Sequence, residues 1–304
     1  MADLQVNIAD VPFRNPIIAA SGTFGFGHEY MEFYPLSTLG GISCKGITLS
    51  ERPGNPPPRI AETPGGMLNA VGLQNPGVDY FMEHDLPWLK AQGTVIIANI
   101  AGNTPEDYCE MAEKLSNTEI DLIELNISCP NVKQGGVQFG TSCAGVEGIT
   151  AAVRAHCKKP LMVKLSPSVS DIGEIAAAAE SAGADAISMI NTLTGMRINI
   201  NTRRPIIRNN TGGLSGPALL PVAVRMVWQA AQRVKIPIVG MGGVSKWQDA
   251  VELLLAGASA LQIGTAFFTD PYAPVKILDG LNQYLDQNGI SSVTELTGGI
   301  LTWE

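Results

Sequence analysis

Residues 237–265 read PIVGMGGVSKWQDAVELLLAGASALQIGT. A short apolar run, Pro237 to Met241, ends in Gly242-Gly243, and Ser245-Lys246-Trp247-Gln248 then opens a helix in the manner of a capping box. Gly257 offers a stop for that helix, and a second apolar run, Ala260 to Gly264, leads into Thr265. The longest apolar stretch of the chain, Ala250 to Phe268, is thereby read as a helix followed by a strand, because Glu252, Gly257, Gln262 and Gly264 interrupt it. No membrane span is needed to explain it.

The same unit recurs outward from this stretch. Ala182-Gly183-Ala184-Asp185-Ala186-Ile187 closes a helix and opens a strand as Ala256-Gly257-Ala258-Ser259-Ala260-Leu261 does. Apolar runs alternate with helical periods along the chain, at Pro16–Ala20, Gly41–Lys45, Val95–Asn99, Leu122–Asn126, Leu161–Leu165, Ala186–Ile190, Pro237–Met241 and Ala260–Gly264. Thr104-Pro105-Glu106-Asp107 caps one intervening helix. Another, from Pro217, sets Leu220, Val224, Val227, Ala231 and Val234 against Arg225, Gln229 and Arg233 on its opposite face. Eight strands in βα order close most simply into a (β/α)8 barrel, and 304 residues suit one such domain spanning 1–304, roughly 250 residues plus insertions. Two connections, Gly46 to Thr94 and Leu193 to Ser215, exceed plain turns and are expected to cover one mouth with a small extra β element.

Composition narrows the function. Hydrophobic residues make up 45% and charged residues 16%, which excludes disorder. With 20 basic and 28 acidic residues the net charge is −8, and no basic stripe suggests nucleic acid. The opening MADLQVNIADVPF has acidic residues where a signal peptide is positive, so a cytoplasmic protein is expected. Cys44, Cys109, Cys129, Cys143 and Cys157 form no CxxC pair and no metal spacing, so free thiols and no metal site are expected.

Barrel chemistry sits where strands end. Here those ends are Ser21, Lys45, Asn99, Asn126, Lys164, Asn191, Gly242-Gly243 and Gly264-Thr265, a polar set behind apolar runs. Singly, each has a plainer reading as a surface lysine or a turn residue. The two glycine pairs, with Gly212-Gly213-Leu214-Ser215-Gly216 before another helix, suggest backbone N–H groups converging on a phosphate. Cys129 follows a strand end within Asn126-Ile127-Ser128-Cys129-Pro130-Asn131-Val132-Lys133-Gln134-Gly135-Gly136, and of the five thiols it is the one placed to meet a substrate. His28, His84 and His156 lie off the other strand ends and read as surface or packing residues. An aldolase-type barrel using Lys45 or Lys164 in a Schiff base, and a non-catalytic subunit that only holds the phosphate-bearing ligand, remain open on these residues alone.

The chain resembles the class 1 dihydroorotate dehydrogenases, and within them the B type, over essentially its whole length. The resemblance rests on Ala20-Ser21-Gly22, Lys45, Gly54-Asn55-Pro56-Pro57-Pro58-Arg59, the stretch Met67 to Asn75, the Cys129 segment, Val163-Lys164-Leu165, Ile190-Asn191-Thr192 and Gly240-Met241-Gly242-Gly243. The related membrane-associated class is expected to carry Ser at position 129 and a membrane-binding N-terminal extension, and neither is in this sequence. The resemblance implies FMN, with its phosphate at Gly242, Gly243, Gly264 and Thr265 and further contacts at Ser21, Lys45, Gly46, Asn99, Asn126, Lys164, Ile190 and Gly216. It places substrate at Lys45, Asn69, Ala70, Val71, Gly72, Leu73, Asn126, Asn191 and Thr192, and makes Cys129 the general base in oxidation of dihydroorotate to orotate, a step of pyrimidine biosynthesis. The B type further implies a separate subunit carrying FAD and a [2Fe-2S] cluster that passes electrons to NAD⁺, in a heterotetramer of two catalytic and two electron-transfer chains. An A-type enzyme would instead work alone with fumarate.

Overall fold

A computed structural model describes residues 2–128 and 137–303. Cys129 and the loop up to Gly136 lie outside the described residues. All eight expected runs form strands: β1 (Ile17–Ala19), β2 (Gly41–Ser43), β3 (Val95–Ile100), β4 (Leu122–Asn126), β5 (Leu161–Lys164), β6 (Ala186–Met189), β7 (Ile238–Met241) and β8 (Ala260–Ile263). They pair in parallel in chain order, and β8 returns to β1 to close the barrel. Helices α1 (Pro105–Ser116), α2 (Cys143–His156), α3 (Ile172–Ser181), α4 (Leu220–Ala231), α5 (Trp247–Ala256) and α6 (Ala273–Asn288) follow β3 to β8 in turn. Among the described residues no helix is long and apolar enough to cross a membrane.

The helix signals hold, with two corrections of detail. The Thr104 side chain caps α1, accepting from the Asp107 N–H at 3.3 Å, while the Asp107 carboxylate accepts from the Thr104 N–H. At α5 the capping carboxylate is Asp249, which accepts from the N–H groups of Ser245 and Lys246 and from the Ser245 hydroxyl; Gln248 is one position too early to reach back. On α4 the buried stripe is Ala223, Met226, Val227 and Ala230, with Val224 and Ala231 only half-buried. The stripe is turned by about one residue because Ala231 faces α5, where it packs against Gly257.

Three connections depart from a plain βα repeat. Between β1 and β2 there are only 3-10 turns, His28–Glu32 and Leu36–Thr38. The Gly46–Thr94 connection is partly helical: a π-helical turn, Phe81–Asp85, runs into a short α-helix, Leu86–Lys90. Its first half gives two strands, Ile60–Thr63 and Gly66–Asn69, which join Leu193–Gly195 and Gly212–Ser215 from the second long connection in a four-stranded antiparallel sheet. The two expected mouth loops therefore form one roof. Their approach is close enough to require glycine, since a Cβ on Gly66 would lie 2.0 Å from the Ser215 carbonyl oxygen and one on Gly216 would lie 2.4 Å from the Gly66 Cα. Gly213 is held in the same way by Thr192, whose Oγ1 would be 2.0 Å from such a Cβ. Gly212 and Gly213 thus serve loop packing, and only the end of that glycine run reaches the cavity below the roof.

Inside the barrel, β2, β4, β6 and β8 each send one polar side chain to the axis: Ser43, Glu124, Ser188 and Gln262, all buried. Layers of four side chains from alternate strands are the usual filling of such barrels, but apolar branched residues dominate elsewhere. Here the layer is polar, and its members are bonded to one another.

Gly257 ends α5 at φ 121° with its Cα hydrogen facing Ala231, and a Cβ there would lie 2.4 Å from the Ala231 Cβ. Gly257→Ala is expected to lower the free energy of unfolding by about 1–3 kcal/mol through backbone strain and the clash, as read by urea denaturation. A loss smaller than about 0.5 kcal/mol would show that α4 and α5 can part freely at this contact.

Candidate active site

The C-terminal ends of the strands and the underside of the roof enclose a cavity of about 440 Å³. From the strand ends come Ser21, Lys45, Gly46, Asn126, Lys164, Ile190, Asn191 and Thr192. The glycine positions at the ends of β7 and β8 add Gly242, Gly243, Gly264 and Thr265, and the roof adds Asn69, Val71, Gly72, Leu73 and Gly216. Two predicted residues stand off this wall: Ala70 is fully buried in the roof, and Asn99 is fully buried one layer below the floor. Sequence reasoning missed the apolar contributors Ile60, Met67, Leu219, Met241, Val244 and Phe268, and the polar Gln262. A polar residue between Leu261 and Ile263 in a strand buried on both faces is the signal that could have flagged Gln262.

The wall carries two cations, Lys45 and Lys164, and no carboxylate among the described residues. Lys164 is almost fully buried, and its Nζ lies 3.9 Å from Glu124 Oε2, an attraction without a hydrogen bond. The acceptor sites of Glu124 are taken by neutral donors. Ser43 Oγ donates to Oε2 at 2.6 Å and Asn99 Nδ2 to the same oxygen at 2.5 Å, while Ser188 Oγ and Gln262 Nε2 donate to Oε1 at 2.6 Å each. Burial pushes this carboxyl up, but the Lys164 charge and the bonds from Ser188, Ser43 and Asn99 outweigh burial and hold it below the ordinary carboxylate range. Of Glu124 and its four donors, only Asn99 was singled out from sequence, and as a ligand contact rather than a partner of the carboxylate.

Asn75 fixes the roof loop over the cation. Its Oδ1 accepts from the N–H groups of Thr48 and Gly77, and its Nδ2 donates to Thr48 Oγ1 and to the Leu73 carbonyl. Every bonding position of that side chain is used, so the left-handed turn at Gly72 (φ 76°) and Leu73 (φ 57°) is pinned beyond the end of β2. Val71, Gly72 and Leu73, expected there to meet an anion, therefore line the cavity from a fixed loop.

The cavity suits a phosphate-bearing, polar ligand on two counts. Gly216, Gly242 and Gly243 hold left-handed or otherwise glycine-favouring angles at φ 117°, 120° and 84°, and a Cβ on Gly243 would strike the Leu220 N at 2.4 Å. Backbone N–H groups can approach a ligand there without side-chain cover. Two buried polar atoms on the wall, Gln262 Oε1 and Ser215 Oγ, have no partner among the described residues. Such atoms are costly to leave unpaired, and a ligand carrying both donors and acceptors would satisfy them.

The remaining thiols and histidines lie elsewhere. Cys44, Cys109, Cys143 and Cys157 are reduced and off the cavity wall, and burial raises the Cys44, Cys109 and Cys157 thiols. His28 stacks on Trp88 with Asp85 3.3 Å away, His84 stacks on Tyr80, and His156 lies 3.8 Å from Glu113. Among the described residues no group of three His, Cys, Asp or Glu could hold a metal ion.

Comparison with known proteins agrees with this geometry. The family model described as dihydroorotate dehydrogenase matches residues 3–285. A protein of Bacteroides thetaiotaomicron named dihydroorotate dehydrogenase B (NAD(+)), catalytic subunit, is 55% identical, covering 99% of each chain. Proteins of the same name from Parabacteroides distasonis and Petrotoga mobilis are 56% and 52% identical, covering 99% and 98% of this chain and 99% of each relative. The chain belongs to the dihydroorotate dehydrogenase family.

The charge of Glu124 has a measurable consequence for stability. Its folded value lies below the unfolded value of about 4.3, so its contribution is complete above that pH and is lost as pH falls through the folded value. Glu124→Gln, although less stable at neutral pH, is therefore expected to lose less stability between pH 6 and pH 3, by up to one proton's worth of slope in urea unfolding. An identical slope in both proteins would mean that folding leaves the proton affinity of this carboxyl unchanged, and a steeper loss in Glu124→Gln would mean that the carboxyl is uncharged in the fold.

Proposed function

We propose that this chain, as a member of the dihydroorotate dehydrogenase family, is the FMN-bearing catalytic subunit of a B-type enzyme that oxidises dihydroorotate to orotate in pyrimidine biosynthesis. The observation that carries the reading is a cation-lined, carboxylate-free cavity in a chain of net charge −8, roofed by the loops that bear Asn69 and Val71–Leu73. Dihydroorotate and FMN are both anions, and such a wall favours both.

In this reading Gly242, Gly243, Gly264 and Thr265 hold the FMN phosphate, and Lys164 lies along the edge where reduction adds negative charge. When bound, FMN supplies the acceptor for the hydride that leaves C6 of the substrate. The Lys45 ammonium and the N–H groups of Val71, Gly72 and Leu73 hold the substrate carboxylate, while Asn69, Asn126, Asn191 and Thr192 meet the polar edges of its ring. Cys129 takes the proton from C5. Its role comes from the family resemblance, with support from the chain leading to it: Asn126 is on the cavity wall and Ser128 is buried two residues on. The roof excludes water from the reacting face.

The relatives' name includes both a catalytic subunit and NAD(+). This chain has no GxGxxG after its first strand and no clustered cysteines for an iron-sulphur relay, so a second subunit carrying FAD and [2Fe-2S] would take the electrons onward, in a complex of two chains of each kind.

The test is the visible spectrum of the purified protein. It should show bound flavin, and dihydroorotate should bleach it anaerobically. Cys129→Ala should stay yellow yet bleach about 10²- to 10⁴-fold more slowly, the loss expected for a general base. Bleaching at an unchanged rate would remove Cys129 from the reaction. The chain by itself should pass no electrons to NAD⁺ until the partner subunit is added, and efficient turnover with fumarate would make it A-type instead.

A further inference from the structure

Glu124 touches no part of the cavity, yet a continuous hydrogen-bond chain leads from it to the wall. Asn99 Nδ2 donates to Glu124, and Asn99 Oδ1 accepts from Asn126 Nδ2 at 3.3 Å. Asn126 Oδ1 in turn accepts from both the N–H and the hydroxyl of Ser128, at 3.3 and 3.1 Å. Ser128 Oγ then accepts from Asn191 Nδ2 at 2.8 Å, and Asn191 Oδ1 accepts from the Thr192 N–H at 2.7 Å. All of these side chains are buried or half-buried.

Each link constrains the next. An ionised carboxylate only accepts, so Asn99 must turn its amide nitrogen inward and its carbonyl outward. Asn126 must then offer nitrogen to Asn99, which leaves its carbonyl to Ser128. A hydroxyl has one proton, and that of Ser128 goes to Asn126, so Ser128 must accept from Asn191. The charge at the buried end turns Asn99, and the N–H groups of Ser128 and Thr192 hold Asn126 and Asn191 in the same sense, so every link of the chain agrees in direction.

We propose that Glu124 is a positioning residue: its charge turns Asn99, and Asn99 together with the Ser128 and Thr192 N–H groups holds Asn126 and Asn191 so that each presents the second N–H of its amide to the cavity. The wall then selects a ligand that offers carbonyl oxygens along that edge and rejects one that offers amino groups. The proposal rests on the dihydroorotate reading for the identity of that ligand, a ring with two carbonyls, but not for the direction of the chain. Lys164 complements the arrangement. Because the acceptor positions of Glu124 are filled by neutral donors, its charge attracts Lys164 across 3.9 Å without taking an N–H away from the cavity.

Two measurements on the full-length protein decide it. Neutron diffraction from deuterated, ligand-free crystals shows amide orientation directly: the Asn99 and Asn126 deuterons should point toward Glu124 and Asn99 respectively. The opposite orientation, or a deuteron on Glu124, overturns the proposal whatever the ligand proves to be. The second measurement is orotate affinity of the FMN-loaded protein. Ser128→Ala, which cuts the chain while leaving Glu124 and its donors intact, should weaken orotate binding about tenfold, in the range for an unpaired buried polar group, with FMN content unchanged. Glu124→Gln lets Asn99 bond in either sense while the Ser128 N–H still holds Asn126, and should weaken binding by less than Ser128→Ala does. If Ser128→Ala binds orotate as tightly as the unaltered protein, the chain does not position the wall and the proposal fails, even where Glu124→Gln does not fold. Failure of dihydroorotate to bleach the unaltered protein would instead overturn the functional reading, with the neutron map still deciding the chain's direction.

Discussion

Glu124 sits at the barrel axis with no exposure, and closing the barrel is the same event as satisfying its carboxylate. Burying an ion costs several kcal/mol even after relaxation, and the cost is offset only when its hydrogen-bonding positions are filled and a counter-charge is near. The donors come from β2, β3, β6 and β8 and the counter-charge from β5, at separations of 81, 25, 64 and 138 residues for the four bonded partners. No partial sheet brings these together. A one-residue slip of β8 would turn Gln262 outward and an apolar neighbour toward the carboxylate, so the ion also penalises wrong registers.

The arrangement separates two electrostatic tasks. The surface carries the net negative charge of the chain, while the cavity wall shows only cations. A buried lysine beside the mouth needs a counter-charge, but one placed on the wall would repel an anionic ligand. Placing it one layer down, behind Lys164 and beside Asn99, meets both requirements. Coulomb attraction falls only as the inverse of distance in a poorly solvated interior, whereas a hydrogen bond is lost within an ångström, so the carboxylate at 3.9 Å stabilises the charge of Lys164 and leaves its donors for the ligand.

What the sequence made legible was local. Each barrel strand was an apolar run with a polar residue at its end, and each well-read helix carried a cap, a stop or both; these depend on neighbours within a few residues. The polar strand ends pointed to the cavity because barrel topology places every strand's C-terminal end on one face, whatever the partners. Glu124 and Gln262 were harder to read, since each is a single polar residue inside an apolar run and its meaning lies in a partner on another strand. The roof was expected as a small β element over one mouth, but its strand pairing was hidden for the same reason: Gly66–Asn69 and Gly212–Ser215 are short and more than 140 residues apart, as the Asn69–Gly213 contact across 144 positions shows. The glycine run at 212–216 looked like a phosphate loop and is mostly a packing device, because the same absence of a side chain serves a close ligand and a close backbone equally well.

The roof and the barrel also differ in what holds them. The barrel and its helices share one continuous apolar core, whereas the roof's own buried cluster is Leu68, Ala70 and Ile207, with Ala61 and Leu214 beside it. A sheet with so little apolar area of its own takes its order from what lies beneath it: Asn75 bonded to Thr48, and Thr192 packed on Gly213. These contacts start from residues just beyond β2 and β6, two of the strands that meet at Glu124. Order therefore passes from the carboxylate through the closed barrel to the strand ends and only then to the roof, and the part of the molecule that encloses the ligand is the part with the least independent stability.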